Sequence, residues 1–201
     1  MQRNANEKAR PQKVSLPSID QVNAERKRMR HQADYKKALF GTVHVMILVA
    51  AIAVLISTLF MPVLQITGDS MEPTLSGGDI VVLSKSHNFK PGDICSFSWN
   101  NRTLVKRVIG LPGDWIRIDE EGNVYVNDEV LYEPYISDKS LGECDIEFPY
   151  QVPDHSLFLM GDHRETSIDS RNSVIGSVDF AQLVGKVKFR VWPFGAIGAV
   201  K

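Results

Sequence analysis

The stretch Asp93-Ile-Cys-Ser-Phe-Ser-Trp99, followed three residues later by Thr103-Leu-Val-Lys-Arg-Val-Ile109 and then by Leu111-Pro-Gly-Asp114, decides the fold class. Short apolar runs rich in β-branched and aromatic residues, bounded by Asn, Pro and Gly, are strand signals punctuated by turns. The same signature recurs on either side, in Asp79-Ile-Val-Val-Leu-Ser84, Trp115-Ile-Arg-Ile-Asp119 and Asn123-Val-Tyr-Val-Asn127. Glu120-Glu-Gly-Asn123 predicts a hairpin between the last two, and Lys90-Pro-Gly-Asp93 and Leu111-Pro-Gly-Asp114 predict Pro-Gly turns. Leu183 to Val191 alternates apolar and basic residues, as a half-exposed strand does. The expected fold is mostly β, an antiparallel sheet over residues 62–201 with a small inserted β region at about 115–155. About 140 residues can bury a core without disulfides or metals.

Upstream the pattern changes. Ala38 to Met61 is a run of 24 residues without Asp, Glu, Lys or Arg. At helical rise it spans about 36 Å, enough to cross a hydrocarbon core of about 30 Å. It is longer than the core of a cleaved signal peptide, and no Ala-x-Ala site follows it, so it reads as one uncleaved transmembrane helix ended by Pro62. Its one polarisable side chain, His44, lies near the helix start and is given no role.

Charge sets the orientation. Among 201 residues the net charge is −1, but residues 1–37 hold ten Lys/Arg against four Asp/Glu and residues 38–201 hold thirteen against twenty. Arg26, Lys27, Arg28, Arg30, Lys36 and Lys37 precede the apolar run, and no Lys or Arg occurs from Pro62 to Ser84. The positive-inside rule then predicts a cytoplasmic N-terminus, a single pass and a β body outside the cell membrane. The basic tail, with a short amphipathic stretch from Ile19 to Tyr35, suits anionic membrane lipid; no nucleic-acid role is expected. Cys95 and Cys144 face an oxidising compartment and can pair, although Cys95 also reads as a small core residue. With scattered His and neither HExxH nor CxxC, no metal or cofactor is expected.

Three segments carry more reactive polar residues than a β core requires: Gly68-Asp-Ser-Met-Glu-Pro-Thr-Leu75, Thr103 to Asp114, and Met160-Gly-Asp-His-Arg-Glu-Thr-Ser-Ile-Asp-Ser-Arg171. Ser70 sits in an irregular connection, where a hydroxyl can be presented or can merely cap a turn. Lys106 and Arg107 are strand neighbours, so they point to opposite faces and cannot both be solvated on one side. Of the two, only lysine readily gives up its charge when buried. An ordinary lysine is neutral in roughly one copy in 2,500 at pH 7, and desolvation by about 3–5 pKa units brings a neutral amine within reach. Ser70 and Lys106 therefore suit a nucleophile and its base.

These motifs, in this order behind one anchor, resemble bacterial type I signal peptidases of the compact Gram-positive branch. The resemblance covers the helix and nearly all of Val63 to Phe194. It implies a serine endopeptidase that cleaves signal peptides from exported preproteins after small residues at −1 and −3. By position it implies Ser70 as nucleophile, Lys106 as general base, Ser167 as the hydroxyl that orients the amine, and Asp169 with Arg171 as a supporting ion pair. Met71, Leu75 and Val105 would line the substrate pockets. Two positions depart from the best-known pattern: Gly68 stands where some members have an oxyanion-binding serine, and His163 replaces asparagine. No Ser-x-x-Lys motif supports a penicillin-recognising enzyme, and a non-catalytic envelope-binding module is the alternative. Oligomeric state and the identity of the preproteins are not legible in the residues.

Overall fold

The structure, a computed structural model, describes residues 18–86 and 88–200. The first seventeen residues of the basic tail lie outside the described residues. Two compact units divide between Ala53 and Val54.

The first unit is helical. The helix α1 runs from Ile19 to Phe60, well beyond the 38–61 run that apolar composition marks. Its start is set by a capping box. The Ser18 amide donates to Gln21 Oε1 at 3.0 Å and the Gln21 amide to Ser18 Oγ at 3.3 Å. Asp20 in the first turn complements the helix dipole. No Pro or Gly interrupts the chain from Ile19 to Phe40, so the basic stretch continues the helix. Its most apolar window has a mean hydropathy of 2.5, and none of that window is buried by protein.

The second unit is built from antiparallel strands. In chain order they are β1 (Val63–Gln65), β2 (Ile80–Ser84), β3 (Ile94–Trp99), β4 (Arg102–Gly110), β5 (Trp115–Ile118), β6 (Val124–Val126), β7 (Glu129–Val130), β8 (Tyr150–Gln151), β9 (Ser156–Met160), β10 (Val178–Asp179), β11 (Leu183–Trp192) and β12 (Gly198–Ala199). The larger sheet has the order β1-β2-β11-β3-β4-β9-β10, with β12 on β11; the smaller has the order β7-β6-β5-β8. Both Pro-Gly turns form as expected. The Asp93 amide donates to the Lys90 carbonyl and the Asp114 amide to the Leu111 carbonyl. Gly92 and Gly113 supply the positive φ that the third turn position requires. Cys95 and Cys144 are both free, and burial pushes the Cys95 thiol up to about 12, so it behaves as a small apolar residue.

Strand β4 is the spine of the unit. It pairs with β3 from Arg102 to Arg107, but with β9 only from Arg107 onward. Among the described residues its first half therefore has one edge unpaired. Lys106 and Arg107 are both buried, which the sequence reading did not require. Each has a different solution. Arg107 keeps its charge and forks onto Asp162, with Nε to Oδ1 at 2.8 Å and Nη2 to Oδ2 at 2.6 Å. It also donates to the Gly92 carbonyl and lies 3.8 Å from the Tyr135 ring centroid. Thr74 Oγ1 donates to the same carboxylate at 2.5 Å, tying the loop after β1 to the loop after β9. A buried pair resists loss of one member because the survivor is left without compensation. Asp162→Ala is expected to destabilise the unit by about 3–5 kcal/mol, and the paired change Arg107→Met with Asp162→Leu by less. Denaturant unfolding checks this, and an Asp162→Ala midpoint equal to the parent's would contradict it.

Candidate active site

The loop from Gly161 to Gly176 closes over the face of β4 that carries Lys106. Lys106 is 3% exposed, and its Nζ donates to Ser167 Oγ at 2.9 Å. Ser167 Oγ in turn donates to Asp169 Oδ2 at 2.6 Å. Asp169 is held at both oxygens by Arg171, through Nε and Nη2 at 2.9 Å each, and accepts from the Gly161 amide at 2.9 Å. Arg171 spends its remaining donors on the carbonyls of Ser140, Leu141, Arg164 and Ser167. The result is a buried chain of amine, hydroxyl, carboxylate and guanidinium in which every member has a partner.

Electrostatics follow from that chain. Burial lowers the Lys106 amine from 10.5 to about 8; Asp169 opposes the shift, Arg171 reinforces it, and Asp162 and Asp69 oppose it more weakly. Burial alone would raise the Asp169 carboxyl, but hydrogen bonds and charge from Arg171, with the Ser167 and Gly161 bonds, hold it below its ordinary value. The carboxylate therefore stays charged and fixes the direction of the Ser167 proton.

Ser70 reaches this chain through backbone contacts. Its carbonyl accepts from the His163 amide at 3.1 Å, and the His163 carbonyl accepts from the Ser167 amide at 3.1 Å. One short segment thus grips both serines. Gly161 makes the approach possible. A Cβ built there would lie 2.5 Å from the Ser70 carbonyl oxygen and 2.2 Å from Ser167 Oγ, so only glycine lets the two segments close. Ser70 and Lys106 line one cleft with Gly68, Met71 and Val105, bordered by Leu64 and Gln65 of β1 and Thr103 of β4.

The residues expected for pockets separate into two kinds. Met71 and Val105 line the cleft, whereas Leu75 is fully buried in the core beneath, in the cluster that includes Ile66, Val81 and Leu83. Ser167 and Asp169 are buried on either side of exposed Ile168, an alternation that ends at Asp169. There the chain turns, and Ser170 is buried too, because it exchanges hydrogen bonds with the backbone of Leu159. His163 puts its Nδ1 4.0 Å from Asp69 Oδ2.

Sequence reasoning passed over Gly161, Asp162 and the Arg164–Glu133 ion pair that ties the small sheet's loop to this one. The signal for the first two was present: Gly161-Asp162 repeats the Gly68-Asp69 pair, and an Asp was needed for Arg107.

Residues 39–192 match the family model described as signal peptidase, peptidase S26. A signal peptidase I of Bacillus licheniformis is 35% identical over 81% of this chain and 93% of its own length. One from Bacillus amyloliquefaciens is 32% identical over 86% and 98%. A crystal structure of a signal peptidase I from Enterococcus faecalis is 28% identical, covers 49% of this chain and 96% of its own, and gives a TM-score of 0.41.

Gly161→Ala is expected to push Ser167 Oγ off the amine and lower kcat by about 100-fold or more, since small misplacements cost that much, with KM little changed. Steady-state kinetics with circular dichroism checks this, and parent-level kcat would contradict it.

Proposed function

The chain belongs to the peptidase S26 signal peptidase family, and on that premise we propose that it is a membrane-anchored serine endopeptidase in which Ser70 attacks and Lys106 is the base. Signal-peptide cleavage by a hydrolase follows from the family. The assignment of the two residues is carried by one observation: a buried amine, lowered to about 8, shares a cleft with a half-buried hydroxyl.

The chemistry is local. A neutral amine has two N–H groups and one lone pair. One N–H is committed to Ser167, whose own proton goes to Asp169, so the lone pair is left to take the Ser70 proton. The alkoxide adds to the scissile carbonyl, and the Lys106 ammonium returns the proton to the departing amine. An ester on Ser70 remains. Lys106 then deprotonates water, which attacks the ester, and the proton returns to the Ser70 oxygen as it leaves. Gly68 offers no side-chain donor to the oxyanion, so backbone amides carry that task.

An extended substrate also suits the sheet. The unpaired edge of β4 before Arg107 and the outer edge of β1 both border the cleft, and exposed edges recruit peptide strands. Met71 and Val105 leave shallow apolar space beside Ser70, fitting small residues at −1 and −3.

The helix α1 supports lipid as the second partner. Among the described residues, none of its most apolar window is buried, and the basic residues at its start favour the cytoplasmic side. In the β unit, Phe189, Val82 and Val63 lie in one row across three strands, and Phe189 and Val63 are exposed. Exposed Trp192 and Phe194 stack edge to face at 4.7 Å nearby. Such a surface suits a membrane interface. Anchoring confines enzyme and tethered substrate to one surface, which raises their effective concentration.

Cleavage of a synthetic preprotein in detergent tests the reading. Ser70→Ala and Lys106→Met are each expected to abolish turnover with the fold retained, and the parent's kcat/KM should rise with pH through a midpoint of about 8, because only the neutral amine accepts a proton. Turnover surviving in either variant would overturn the dyad.

A further inference from the structure

Successive side chains of β4 point to opposite faces, and the two faces lead to different depressions. Val105 belongs to the face that packs with Met71 and Leu75 and opens on the cleft beside Ser70. Leu104 belongs to the other, packed against the core of Phe97 and Leu157. On that side lies a second groove of about 380 Å³, walled by Trp99, Leu104, Ile168, Val174 and Ile175 and reaching Lys106. Ile168 is 48% and Val174 66% exposed, so among the described residues nothing covers this apolar surface.

We infer that this groove is a substrate subsite that selects apolar side chains at positions −2 and −4 of the signal peptide. The inference rests on the reading of Ser70 and Lys106 given above and adds a specificity that reading does not contain. A peptide paired to the free edge of β4 alternates its side chains in step with that strand. Residues −1 and −3 take the Val105 side, so −2 and −4 fall on the Leu104 side. Leu104 and Lys106 line both depressions, so a peptide with its scissile bond at Lys106 passes from cleft to groove without a gap. Arg102 is the wall residue that carries a full charge while the Lys106 amine is neutral, and it is basic, which disfavours a cationic occupant. Apolar contact then sets the preference, and one well-fitted apolar side chain is worth about tenfold or more in kcat/KM.

The test uses the full chain in detergent micelles and synthetic preprotein peptides that keep Ala at −1 and −3 while −2 and −4 are Leu, Ser or Lys. Leu is expected to exceed Lys by about tenfold in kcat/KM, mostly through KM. Val174→Asp should reverse the order, raising the Lys peptide above the Leu peptide. That rescue cannot come from a misfolded variant. Equal rates for all three residues, or a Leu preference that Val174→Asp leaves unaltered, would overturn the inference, as would rates that change only with residue +2. If Ser70→Ala still cleaves, the dyad is wrong; if Ser70→Ala is inactive and −2 and −4 are without effect, the subsite alone is wrong.

Discussion

The arrangement depends on keeping one amine out of water. An ammonium loses several kcal/mol of hydration on burial, and the protein can either compensate the charge or let the proton go. Around Lys106 the compensation is deliberately incomplete. Asp169 is near, but Arg171 grips it at both oxygens, and a single hydroxyl stands between it and the amine. The field that would restore the charge is thereby weakened, and desolvation prevails. Were Asp169 free to pair with Lys106 directly, the amine would stay protonated and could not serve as the proposed base.

The rest of the loop is organised around that compromise. A buried carboxylate and guanidinium would be a liability if either were left unpaired, and each is saturated by backbone groups as well as by the other. The same carboxylate aims the Ser167 proton, which aims the Lys106 lone pair. On the opposite face of β4, Arg107 and Asp162 clamp the loop that carries Ser70 through Thr74. In the proposed mechanism neighbouring strand residues divide the labour, one supplying the base and the next supplying geometry. Rigid support of this kind is what the proposed Ser70 and Lys106 dyad requires.

Much of this was legible in the sequence. Period-2 alternation located β2, β3, β4, β5, β6 and β11, and Pro-Gly pairs located two turns, because these signals are local and physical. The Ser70 and Lys106 candidates came from chemistry: a loop hydroxyl and a strand lysine beside an arginine. What stayed hidden depends on distant contacts. Burial of both Lys106 and Arg107 needs Asp162, more than fifty residues away, and the role of Gly161 appears only once Ser70 and Ser167 converge on it. The burial of Ser170 needs the backbone of Leu159. Apolar composition marked the helix from residue 38, but the Ser18 and Gln21 capping box, which sets its start at Ile19, is a pattern of polar residues that hydropathy ignores.

The most direct measurement of the central claim is the titration of the Lys106 side chain itself, by nitrogen-resolved NMR of lysine-labelled protein in micelles with Lys106→Met to assign the signal. The account predicts a midpoint of about 8, well below the other lysines. A midpoint near the ordinary 10.5 would mean that the amine is hydrated and charged at working pH, and the proposed chemistry would fall.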